Sequence, residues 1–112
     1  MNTDLNRTRA GRTAPATREQ QILDAAVRLA ESHGYMNITR TQIAQAAGVA
    51  DSLVSCYLGT MAKMRERVMR EAVRGEVLRV VAQGIACKDR IANRAPRELR
   101  ERALASITPK AR

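Results

Sequence analysis

The chain has 112 residues, a net charge of +9, two tyrosines and neither Phe nor Trp. A chain of this length forms one domain with tails around one modest core. A core restricted to Ile, Leu, Val, Met and Ala favours close-packed helices over a sandwich or barrel, so the expected fold is all-α.

The charge is unevenly spread. Residues 1–18 hold four arginines and one aspartate, residues 19–87 eight bases and seven acids, and residues 88–112 eight bases and three acids. Basic ends around a balanced centre point to a polyanionic partner, above all nucleic acid, with simple solubility as the weaker explanation. Cys56 and Cys87 form no C-x-x-C pair and His33 stands alone, which argues against a zinc finger, a redox motif or any bound metal or cofactor. Free thiols, the lack of a membrane-length apolar run and the lack of a hydrophobic signal core place the expected site of action in the cytoplasm, away from membranes.

Residues 1–16 carry almost no apolar side chains and read as a basic arm. Arg7, Arg9 and Arg12 either reach a neighbouring minor groove or phosphates, or make no contact at all. A first helix is expected from Thr17, where T-R-E-Q forms a capping box with Gln20 and Pro15 blocks backward extension. Ile22, Ala26, Leu29 and Ala30 give its apolar face, with Leu23 and Val27 at the edges. The helix closes at Gly34, and Tyr35 and Ile38 fill the linker that follows.

Residues 39–57, TRTQIAQAAGVADSLVSCY, organise the rest. Thr39 and Gln42 form a second capping box, and Ile43, Ala44 and Ala47 make a short apolar stripe. Gly48 suits the left-handed conformation at a helix end, and Val49 is an apolar plug in the turn. Asp51 begins the next helix, where the dipole favours an anion. Val54 and Leu58 face inward, leaving Ser52, Ser55 and Cys56 outside. Two short helices about a glycine turn, the second with a small polar outer face, describe a helix-turn-helix whose second helix fits a major groove.

Gly59 breaks the pattern and Thr60 caps a helix from about Met61, with Met64, Val68 and Ala72 on its inner stripe. Lys63, Arg65, Glu66, Arg67, Arg70 and Glu71 are expected in solvent. Gly75 marks a kink or an end. From Glu76 onward, Val77, Leu78, Val80, Val81 and Ile85 cover more than one face, so this segment needs the domain's own core or a second copy. Gly84 offers a close-approach point. Residues 93–95 read as a loop and Pro96 as the first residue of a last helix, with Leu99, Ala103, Leu104 and Ile107 on one face. The expected organisation is thus an arm (1–16), a helix-turn-helix domain (17–75), a helical dimerisation segment (76–107) and a basic tail (108–112).

The runs ILDAAVRLAESHGY (22–35), ITRTQIAQAAGVA (38–50) and SLVSCYLGTMAKM (52–64) together resemble the DNA-binding domain of TetR-family repressors. The resemblance implies a three-helix helix-turn-helix domain followed by a dimerising region. The chain departs from the family pattern at Ala50, Ser55, Leu58 and Met61, where the family commonly has Ser, Tyr, a second aromatic residue and Lys. Fewer than 40 residues follow Gly75, so the family's large ligand-binding domain and its small-molecule pocket are not expected.

The function expected is therefore a homodimeric, sequence-specific DNA-binding repressor acting on a palindromic operator. Ser52, Leu53, Ser55 and Cys56 would read base edges. Thr39, Arg40, Thr41, Tyr57 and Lys63 would hold phosphates, with a core aromatic as the weaker reading of Tyr57. Cys56 reads as a small passive residue rather than a redox sensor, because no base lies beside it. Val77, Val80, Val81, Ile85, Leu99 and Leu104 would form the dimer. The alternative is a protein-interaction module or co-repressor whose C-terminal helices bind another protein. An enzyme is not expected, since no nucleophile–His–acid set or phosphate loop is present.

Overall fold

The computed structural model describes residues 15–107. The basic arm and tail, apart from Pro15 and Ala16, lie outside the described residues. Among the described residues seven helices follow one another: α1 (Pro15–His33), α2 (Arg40–Ala47), α3 (Asp51–Leu58), α4 (Met61–Arg74), α5 (Leu78–Ala86), α6 (Arg90–Asn93) and α7 (Arg97–Ile107). No strand occurs among the described residues, as the aromatic-poor composition implies.

The first helix starts two residues earlier than its Thr17 box predicts. Pro15 is the first helical residue, a position where a missing N–H costs nothing and the fixed φ already suits a helix. Ile22, Ala26 and Ala30 are buried, as are Leu23 and Val27, while Leu29 is only half-buried. The buried face is therefore rotated towards residues 23 and 27. It packs against α2 and α4. The helix ends where the Gly34 amide donates to the Ala30 carbonyl at 2.8 Å.

Met64, Val68, Met69 and Ala72 of α4 are inaccessible to solvent. Its N-terminus is capped by Thr60, whose hydroxyl oxygen accepts from the Lys63 amide at 3.2 Å. After Gly75 the chain turns through Glu76, with φ +56°, and enters α5.

The apolar stretch from Glu76 differs from its expected form in two ways. It is not one helix. Lys88 takes φ +62°, and the Asp89 carboxylate then accepts from the amides of Ile91 and Ala92 at 2.8 and 3.1 Å, which starts a separate short helix, α6, just ahead of the loop expected at residues 93–95. It is also not a surface. Val80, Val81 and Ala82 are fully buried, and α5 packs most extensively against α7, then against α4 and α6. Its greasy faces are covered by the protomer itself. Leu99 and Ala103 of α7 are buried there too, whereas Leu104 and Ile107 are 41 % and 51 % exposed and do not continue that inner face. Pro96 precedes α7, its carbonyl accepting from the Arg100 amide at 3.0 Å.

A network ties this C-terminal layer to the linker after α1. The Gln83 amide nitrogen donates to the Ala30 carbonyl at 3.0 Å, and its oxygen accepts from the Tyr35 amide at 2.9 Å. The Tyr35 hydroxyl donates to Asp89 at 3.2 Å. Burial, reinforced by the Asp89 carboxylate, pushes the Tyr35 phenol up to about 12.

Gly84 marks a close helix contact: a Cβ there would lie 2.6 Å from both the Ala92 Cβ and the Met69 Cε. Met69 can swing aside, but the Ala92 Cβ moves only with its backbone. Alanine should gain about 1 kcal/mol of helix propensity and lose roughly 3 kcal/mol to overpacking. Gly84→Ala is therefore expected to lower the urea-unfolding stability by about 2 kcal/mol net; equal or greater stability would show that α5 and α6 are not in close contact.

Candidate DNA-binding surface

The helix-turn-helix is held by local chemistry. Thr39 caps α2: its hydroxyl oxygen accepts from the Gln42 amide at 3.1 Å, and Gln42 Oε1 accepts from the Thr39 amide at 3.0 Å. Two unpaired amides of a helix start are thereby satisfied. At the other end Gly48 has φ +73°, a conformation glycine adopts without a Cβ penalty. The Val49 amide reaches back to the Ala44 carbonyl at 2.9 Å and the Gly48 amide to that of Gln45 at 3.3 Å, the bonding pattern of a Schellman turn. Half-buried Val49 packs on the core beneath it.

The next helix, α3, has no side-chain cap, because Ala50 occupies the N-cap position. Asp51 stands in its first turn and accepts a hydrogen bond from the Thr41 hydroxyl at 2.7 Å. That bond stitches the first turn of α2 to the first turn of α3. Buried Val54 and Leu58 anchor the inner side. At the C-terminal end, Arg67 Nη1 donates to the Tyr57 carbonyl at 2.8 Å, while Nη2 pairs with Glu19 of α1. A cation on the last turn also suits the helix dipole. Arg67 is half-buried and structural, in contrast to its expected place among the solvated side chains.

Ser52 and Cys56 are exposed and Ser55 is half-exposed, so the outer face of α3 is small and polar. Leu53 and Tyr57 are partly buried and pack against the core, which turns much of their surface inward. Thr39, Arg40 and Thr41 lie at the start of α2, joined to the start of α3 through the Thr41–Asp51 bond. Thr41 is thus already engaged by a carboxylate. Arg40 Nε is buried and has no hydrogen-bond partner among the described residues. Lys63 is exposed at the start of α4, its aliphatic stem across Gly59, where a Cβ would meet it at 3.3 Å. Polar and cationic groups thus flank α3 at both ends, with the small polar face between them.

The residues expected to pair two copies divide differently. Val80, Val81 and Leu99 are buried in the protomer's own core and can contribute nothing to a partner. Val77 and Ile85 are half-buried against that core, and Leu104 is exposed. Periodicity could not have separated these groups, because it marks apolar faces without saying what covers them.

Among the described residues, no group of three or more His, Cys, Asp or Glu could hold a metal, and no helix is long and apolar enough to cross a membrane. Residues 22–68 match the family model of bacterial regulatory proteins, tetR family. No curated protein and no solved structure matches the chain. The matched stretch spans the greater part of α1, all of α2 and α3, and the first half of α4. That stretch is similar to the tetR-family helix-turn-helix domain, which indicates a DNA-binding transcriptional regulator.

Removing the Arg67 clamp should loosen the end of α3 without touching its outer face. Arg67→Ala is expected to cost about 1–3 kcal/mol of stability, because a charged hydrogen bond and an ion pair are both lost. Amide hydrogen exchange should rise selectively at residues 55–59; uniform exchange across the chain would show that Arg67 does not hold this helix.

Proposed function

We propose that this protein is a cytoplasmic, sequence-specific transcriptional repressor that binds a palindromic operator as a homodimer, without a small-molecule effector. One observation carries the reading: α3 is fixed by Val54, Leu58, Thr41–Asp51 and Arg67 while Ser52, Ser55 and Cys56 are left outward. A helix held rigidly from behind, with short polar groups in front, can enter a major groove closely enough to reach base edges. Hydroxyls of Ser52 and Ser55 would hydrogen-bond there, and Cys56 and the exposed part of Leu53 would meet thymine methyls. Thr39, Arg40, Thr41, Lys63 and the outer edge of Tyr57 would take phosphates and set the register. The exposed position of Lys63 suits that role.

A two-fold operator demands a two-fold protein. Burial of Val80, Val81 and Leu99 moves the proposed dimer surface to what remains outside: Leu104 and Ile107 on α7, with the accessible edges of Val77 and Ile85.

Ser55→Ala combined with Cys56→Ala should lose roughly 1–3 kcal/mol of discrimination per base contact, with the fold intact. The check is a mobility-shift titration on the gene's own upstream DNA against a random fragment; equal losses on both would contradict base reading. For the dimer, Leu104→Asp with Ile107→Asp is expected to give a folded monomer in sedimentation and to abolish operator binding. Val81→Asp should instead unfold the chain, since it places a charge in the protomer core. A dimer that survives the α7 changes would place the two-fold contact elsewhere.

A further inference from the structure

The basic excess near the C-terminal end is not evenly engaged. Arg97 pairs with Glu101 at 3.0 Å, Arg102 with Glu76 at 2.7 Å, and Arg100 donates to the Ala95 carbonyl at 2.9 Å. Arg90 and Arg94 are exposed and make no ion pair among the described residues. Both line a groove between α4 and α6, opposite Arg70, which is mostly exposed and carries an ion pair to Glu66 at 2.6 Å. The groove has a volume of about 460 Å³, and apolar Val73, Ile91 and Pro96 line it between the arginines. None of the residues assigned above to DNA lines it.

We propose that this groove docks an acidic peptide segment of a protein partner, with carboxylates on either side of an apolar anchor. Two features select that occupant. Guanidinium forks match carboxylates bidentately, and three of them with a single nearby glutamate leave a net positive rim. The apolar lining needs an apolar side chain to cover it, which a sugar–phosphate backbone does not supply. The size suits a short segment, since grooves of roughly 300–1,000 Å³ hold ligands of a few side chains. The inference goes beyond operator binding and does not depend on it.

The test uses the full chain and a short fluorescein-labelled peptide alternating glutamate and leucine, followed by fluorescence anisotropy. The wild type should bind it, and a glutamine–leucine peptide at least about tenfold more weakly, since each charged hydrogen bond lost accounts for about a decade. Arg90→Gln with Arg94→Gln should weaken the glutamate peptide by a similar factor while leaving the thermal unfolding midpoint and random-duplex affinity unchanged. Arg28→Gln with Arg79→Gln removes the same charge at another surface hollow and should leave peptide binding intact. Absence of binding, equal binding of the glutamine peptide, or equal weakening by the two charge-matched variants would overturn the proposal. So would a tenfold loss of duplex affinity in the Arg90/Arg94 variant, which would assign the groove to DNA.

Discussion

A core without Phe or Trp can be filled only by bringing backbones together, and this constraint shapes the molecule. Ala26, Ala30, Ala72, Ala82, Ala92 and Ala103 are completely buried, and Gly84 is buried among them. Small residues at helix contacts let the axes approach, so that many weak dispersion contacts replace the area a large aromatic ring would cover. The Gly84–Ala92 contact is one such case. The same constraint explains why α5 lies inside the protomer: a domain short of bulky side chains draws on Val80, Val81 and Leu99 of its C-terminal segment to complete one core.

The helix-turn-helix gains its precision from that core. α3 has only eight residues and two fully buried anchors, too little to be stable alone, since isolated helices of this length are marginal in water. Its position is set by contacts at both ends, through Asp51 to α2 and through the Tyr57 carbonyl to Arg67. Arg67 in turn is braced by Glu19 on α1. Because these clamps act from behind and at the ends, the outer face needs no structural side chains and can carry serine and cysteine.

Features built from near neighbours in the chain were legible in the sequence. The Thr39–Gln42 box, the Gly48 turn, the Thr60 cap and the Met64–Val68–Ala72 stripe depend on spacings of three to five residues, and each took its expected form. Features requiring distant partners were not. Tyr35 and Asp89 are 54 residues apart, and Gln83 lies 53 residues beyond the Ala30 carbonyl that it binds. Arg67 looked solvated because only the fold brings Glu19 and the Tyr57 carbonyl beside it. Val80, Val81 and Leu99 satisfy the pattern of a dimer seam and of a core equally well, and the core took them. The break at Lys88 had one local signal, Asp89 standing before a helical turn, which the surrounding apolar run obscured. Pro15, read as a barrier, is the first residue of its helix.

The central claim is that the outer face of α3 meets duplex DNA. Titrating the nitrogen-15-labelled protein with a duplex from its own upstream region, followed by amide chemical shifts, tests this most directly. The largest shifts should fall at residues 52–57, with smaller ones at residues 39–41 and at Lys63. Shifts confined to α5, α6 and α7, with residues 52–57 unmoved, would contradict it.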